Sequence, residues 1–95
     1  MSNIKIFFLS LLEDITGVNE ITLNIEKNST IKDVLKLLTS EFGKDFKITI
    51  FENSDTLSKY IIISLNGRDI RSLKNLESSL HDGDELALLP AIAGG

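Results

Sequence analysis

The chain has no cysteine and a single histidine, His81, in 95 residues. Without thiols there is no disulfide framework, no thiolate zinc site and no cysteine nucleophile. One imidazole cannot assemble a metal cluster, so no metal ligand set is expected. The hydroxyls nearest His81-Asp82 are Ser78 and Ser79, and neighbours in sequence do not make a catalytic triad. Asp82-Gly83-Asp84-Glu85 lacks the twelve-residue span of ligands that an EF-hand calcium loop requires, and it reads as a turn. A basic face is also missing. The ten Lys and Arg residues are scattered along the chain against fourteen acids, for a net charge of −4, so no nucleic acid is expected as a direct partner. No apolar run approaches the roughly 18 residues that a membrane span needs. The apolar stretch from Ile6 to Leu12 passes into Glu13-Asp14 without a small-residue cleavage site, unlike a secretory leader. The expectation is a cytoplasmic protein with no membrane contact.

What is present is enough apolar material, 42% of residues, for one domain with one core. Ile4 to Leu9 is rich in β-branched and aromatic residues and reads as a strand. Ser10 to Thr16 allows a short turn of helix before Gly17. Glu20 to Ile25 alternates polar and apolar residues, as in a strand with one wet face, and pairs best with the first strand as an antiparallel hairpin. Thr30 and Asp33 approximate a capping box at the head of the one long helical pattern. There Ile31, Val34, Leu35, Leu38 and Phe42 form a single stripe, and Gly43 marks its end. Asp45 to Glu52 has strand propensity in Ile48-Thr49-Ile50-Phe51 and is expected to be a short strand or an irregular segment, followed by a loop at Asn53-Ser54-Asp55.

Tyr60 to Leu65 reads as a strand too continuously apolar to have a wet face. Asn66-Gly67 then signals a type I′ hairpin turn, with Arg68 to Arg71 as its return strand. Ser72 to Leu80 is a polar connection that tucks in Leu73, Leu76 and Leu80. Asp82-Gly83 makes the last turn, and Glu85 to Leu89 the last strand. Asp82, Asp84 and Glu85 either steer the following segment toward a basic partner or serve only as a solvated turn. This order of elements predicts an α+β fold of the β-grasp type, with a mixed sheet of four to five strands and one main helix packed on one face. The sheet's second face carries Phe7 and Leu9 on the first strand and Ala87 and Leu89 on the last, lying under loops or offered to a partner.

The last ten residues, Leu86 to Gly95, contain no charged side chain. Chain ends are usually polar, and chance would place two glycines last in roughly one chain in two hundred. Pro90 fixes its own φ and pushes Leu89 away from the helical region, so residues 90–95 are expected to leave the 1–89 domain as an extended, flexible tail. Gly94 and Gly95 carry no Cβ and can enter a channel too narrow for side chains, presenting a bare carboxylate.

Ile4-Lys5-Ile6-Phe7-Phe8 with Leu12-Glu13 and Gly17 behind it, Leu65-Asn66-Gly67-Arg68, and above all the run from Leu80 to Gly95 resemble the MoaD/ThiS family of ubiquitin-like sulfur carriers. The resemblance covers nearly the whole chain. Its most specific parts are the Asp-Gly-Asp turn and the proline-containing tail that ends in Gly-Gly. Many members have Pro-Pro where this chain has Pro90-Ala91, and the stretch from Asp45 to Lys59 is longer than in the shortest members. The Phe-Phe first strand favours the MoaD branch, the small subunit of molybdopterin synthase. The resemblance implies that an adenylating enzyme of the MoeB type uses ATP to activate Gly95, which becomes a thiocarboxylate, with Gly94 beside it at the reactive end. It further implies insertion of the tail into a MoaE-like large subunit, where sulfur passes to a pyranopterin and the large subunit supplies the catalytic side chains. Phe7, Leu9, Leu89, Pro90, Ala91, Ile92 and Ala93 would then contact partners, with no cofactor bound. Sulfur delivery to tRNA or thiamine, attachment to protein lysines as a ubiquitin-like modifier, and a plain β-grasp binding module are the other readings.

Overall fold

The computed structural model describes residues 1–54 and 56–91. Its strands are β1 (Ser2–Phe8), β2 (Glu20–Ile25), β3 (Ile61–Leu65), β4 (Arg68–Asp69) and β5 (Glu85–Pro90), and its helices α1 (Leu11–Thr16), α2 (Ile31–Phe42) and α3 (Lys44–Ile50). The strands form one sheet in the order β2-β1-β5-β3-β4. The β1/β2, β3/β5 and β3/β4 pairs are antiparallel, whereas β1/β5 is parallel. The last strand in sequence is therefore the central strand in space, inserted between the two hairpins. This is the β-grasp arrangement.

α2 begins where its cap places it. The Thr30 hydroxyl accepts a hydrogen bond from the Asp33 N–H at 3.3 Å, and the Asp33 carboxylate accepts one from the Thr30 N–H at 3.0 Å. Two otherwise orphan donors are thus satisfied reciprocally. The Thr30 backbone donor is the main cause that holds the Asp33 carboxyl below its ordinary value. From this start Ile31, Val34, Leu35 and Leu38 are buried against the sheet. Phe42 sits at the core's margin, edge-on to Phe8 with ring centroids 5.5 Å apart. The opposing sheet face contributes Ile4, Ile6, Phe8, Ile61, Ile63, Leu86 and Leu88, all buried.

Three segments depart from the sequence reading. Asp45 to Glu52, expected as a strand or irregular, contains the helix α3. Its β-branched residues favour strand, but Phe46 and Ile50, four apart and so on one helical face, both bury completely. Phe46 packs edge-on to Phe8 at 6.0 Å. Tertiary packing overrides the local propensity here, and Ile48, which has no core to enter, is left 63% exposed.

The return strand expected over 68–71 stops at Asp69. The Asp69 carboxylate accepts from the Arg71 N–H and grips its guanidinium, turning the chain into a 3-10 turn (Ile70–Ser72) that buries Ile70. Asn66 and Gly67 ahead of it both have positive φ, 52° and 85°, as a type I′ turn demands. β3 itself is less enclosed than its composition suggested, since Ile62, Ser64 and Leu65 are only half-buried.

The acidic turn before β5 serves as a fastener. Asp82 accepts from the Asn3 N–H at 2.7 Å. Asp84 accepts from the His81 N–H at 2.7 Å and from the Asn66 amide at 3.0 Å, and Asn66 in turn accepts from the Glu85 N–H. Asp82 and Asp84 thus tie the turn to Asn3 and Asn66 as well as to its own His81.

Candidate functional site

The sheet's two faces follow from the period of two along each strand. With Ile6, Phe8, Leu86, Leu88, Ile61 and Ile63 turned toward the helices, Phe7, Ala87, Leu89 and Ile62 must turn the other way. The register brings these four together, with Phe7 opposite Ala87 and Ile62 opposite Leu89. Among the described residues no helix covers them, and all four are half-buried. Leu9 continues the patch at 41% exposure and Tyr60, next along β3, at 64%. A groove of about 600 Å³ runs beside Phe7, Leu9, Ser10 and Ala87. Charge frames the apolar centre. Lys5 lies 6.0 Å from the Phe7 ring and 3.7 Å from the Glu20 carboxylate, while Lys59 lies 5.4 Å from the Tyr60 ring.

The root of the tail stands at the edge of this patch. Leu88 still accepts from the Leu9 N–H at 3.1 Å, but β1 then turns away into α1. Pro90 occupies the position whose N–H would have pointed to the side β1 has vacated, so its missing donor leaves no ladder bond unmade. It pairs with Ile61, and Ala91 donates to the Tyr60 carbonyl at 2.7 Å. The strand thus runs through Pro90, one residue beyond the expected Leu89, and Ala91 is held from the β3 side.

Of the site residues expected from the sequence, Phe7, Leu9 and Leu89 converge on the open face, with Pro90 and Ala91 at its edge. Ile92, Ala93, Gly94 and Gly95 lie outside the described residues. Tyr60 and Ile62 were missed. The signal was available in their alternation with Ile61 and Ile63, but recognising it needs the β3/β5 register, which places Ile62 against Leu89.

The described residues contain no group of three His, Cys, Asp or Glu that could hold a metal ion. They also contain no helix long and apolar enough to cross a membrane. His81 sits 3.8 Å from Asp84 in the turn before β5, at the opposite end of that strand from the tail. Among the described residues the open face has contact area and a launching strand and shows no constellation for acid–base or nucleophilic chemistry.

Comparison with known proteins bears on what such a surface serves. The ThiS family model matches residues 6–95. The "Putative sulfur carrier protein" of Archaeoglobus fulgidus is 34% identical over 80 residues, covering 83% of this chain and 90% of its own. The molybdopterin synthase sulfur carrier subunit of Chlamydomonas reinhardtii is 26% identical over 92 residues, covering 97% and 98%. The solution structure of small archaeal modifier protein 1 from Methanosarcina acetivorans superposes with a TM-score of 0.85 at 35% identity, covering 100% of this chain and 98% of that one.

Proposed function

The chain belongs to the ThiS family of ubiquitin-like sulfur carriers, and from that premise we propose that Gly95 is its working residue and that it serves as the small subunit of a molybdopterin synthase. A carboxylate is a poor electrophile. An adenylating enzyme first joins the Gly95 carboxylate to the α-phosphorus of ATP, releasing pyrophosphate and leaving a mixed anhydride whose leaving group is AMP. A persulfide sulfur then displaces AMP, and cleavage of the remaining S–S bond by a thiol leaves a thiocarboxylate. That group is anionic and nucleophilic at neutral pH without help from any side chain of the carrier. In a large subunit it attacks a pyranopterin carbon and displaces an oxygen substituent; water then hydrolyses the resulting thioester, which leaves one of the two dithiolene sulfurs on the pterin and returns Gly95 as a carboxylate, so two carriers serve each dithiolene.

The observation that supports this reading is the root of the tail. β5 is the central strand, anchored on both sides as far as Leu88, so force or binding energy applied to the tail is borne by the middle of the sheet. The apolar face of Phe7, Leu9, Ile62 and Leu89 adjoins that root, so one partner can cover the patch and take in the tail together. Gly94 next to the terminus permits backbone conformations closed to other residues, which suits a channel shaped for main chain.

The testing experiment supplies thiocarboxylated chain to a MoaE-like large subunit and a pyranopterin precursor. Dithiolene formation that is lost with Gly94→Ala, while that variant's circular dichroism and melting stay unchanged, is the expected result. A second reading, attachment to protein lysines, is favoured by the 35% identity with small archaeal modifier protein 1. It requires branched lysine conjugates in cells and no dithiolene in the reconstituted reaction, an outcome that would displace the first.

A further inference from the structure

The molecule carries a net charge of −4, and its ten cationic side chains are dispersed in sequence. Folding nevertheless brings Lys32, Lys59, Arg71 and Lys74 to the wall of one cavity of about 460 Å³, and among the described residues its lining holds a single carboxylate, Glu77. Lys32 comes from the first turn of α2. Lys59 precedes β3, and Arg71 and Lys74 come from the connection after β4. Between them the wall is apolar, at Leu57, Ile61 and Leu76, and the hydroxyl-bearing Thr56 and Ser58 also line it. Asp69 grips the Arg71 guanidinium, which fixes it in place and offsets its charge, so the positive character of the wall rests on its lysines. A net positive wall on a net negative protein attracts anions at a distance and orients what it attracts.

The shape narrows the choice of anion. Small-molecule sites enclose most of their ligand, whereas this cavity is open and Lys59, Arg71 and Lys74 are exposed. Its position narrows the choice further. Ile61, in its lining, is paired with Pro90, and Lys59 stands over the ring of Tyr60, whose carbonyl holds Ala91. The cavity therefore lies one strand pairing away from the root of the tail. We propose that it receives an acidic segment of the adenylating enzyme that activates the tail, with Asp or Glu carboxylates against Lys59 and Lys74 and an apolar residue on Leu57 and Leu76. The identity of the partner rests on the tail reading above, whereas the cavity's preference for acidic peptide does not.

The test has two arms. In the first, amide NMR of the purified chain is followed on addition of a hexaglutamate peptide, with hexaglutamine, inorganic phosphate and an oligouridine RNA as comparisons. Hexaglutamate is expected to shift amides of residues 57–61 and 71–77, with affinity falling severalfold as salt rises from about 0.05 to 0.3 M. The response should disappear in the folded double variant Lys59→Glu/Lys74→Glu. No localised shift, an equal response to phosphate or RNA, or undiminished binding by the double variant overturns the proposal. In the second arm the double variant is given to the adenylating enzyme. Its KM should rise about tenfold with kcat held within about twofold, because steering and docking act before chemistry. An unchanged KM overturns the assignment of the partner. A parent chain that is never adenylated removes the tail reading and the partner with it, and the peptide shifts alone then decide the cavity's preference.

Discussion

On β5, Leu88 is fully buried beneath the helices while its neighbour Leu89 stands half-exposed on the other side of the sheet. The same offset separates Phe8 from Phe7 and Ile63 from Ile62. In each pair both residues are large and apolar, and propensity does not distinguish them. What differs is the covering, since α2 and α3 close one face, with Phe42 and Phe46 packed on Phe8, and none of the described residues closes the other. A domain this small gains little by spending apolar residues on an uncovered face unless another molecule covers it. Stability therefore resides on the helix side, and the open side next to the tail is left free for the association proposed above.

The sharpest way to break that comparison is to alter adjacent residues of β5. Leu88→Ala should cost about 2–5 kcal/mol in chemical denaturation, since it removes a fully buried side chain and leaves a cavity, a large share of the stability of a small domain. Leu89→Asp should cost about 1–2 kcal/mol, from lost partial burial and poorer strand propensity, and leave a cooperative fold. Its effect belongs in binding, where affinity for the large subunit should fall tenfold or more, as for an apolar anchor of an interface. Equal destabilisation by both variants, with parental affinity retained by Leu89→Asp, would erase the distinction between the faces.

A smaller effect sharpens the helix side. Asp33 is held below its ordinary pKa chiefly by the Thr30 backbone N–H. A depressed folded value means that the carboxylate's contribution is fully present above the unfolded pKa of about 3.9 and is lost as pH falls through the lower folded pKa. Melting temperatures of the parent and Asp33→Asn should accordingly differ at neutral pH and converge in strong acid. The difference should be modest because the carboxylate is exposed and screened. A constant gap at every pH would show that the capping charge contributes nothing. Thr30→Ala, which deletes the other half of the box, should cost about 1 kcal/mol.

Much of this architecture was legible before any coordinates. The β1/β2 hairpin, the stripe and cap of α2, the Asn66-Gly67 turn and the apolar last strand each carry a local signal, a period or a turn residue with a defined φ. α3 was illegible because Ile48-Thr49-Ile50 argues locally for strand, and only the packing of Phe46 onto Phe8 and Phe42 decides otherwise. The shortened β4 was illegible because it hangs on the grip of Asp69 on Arg71. At the site, Phe7, Leu9 and Leu89 follow from alternation alone, whereas Tyr60 and Ile62 need the register of β3 on β5. The basic cavity could not be read at all, since Lys32, Lys59 and Lys74 meet only through tertiary structure. Charge that is scattered in sequence says nothing about charge that is gathered in space.

The central claim, that the chain end carries sulfur, is tested most directly by the intact mass of the protein after incubation with ATP, an adenylating enzyme and a persulfide donor. The account predicts a gain equal to the difference between one sulfur and one oxygen, mapped by fragmentation to Gly95 and absent from a variant extended by one residue beyond it. An unmodified carboxylate with every adenylating enzyme tried, together with cofactor synthesis in cells that still proceeds with the extended protein, would contradict it.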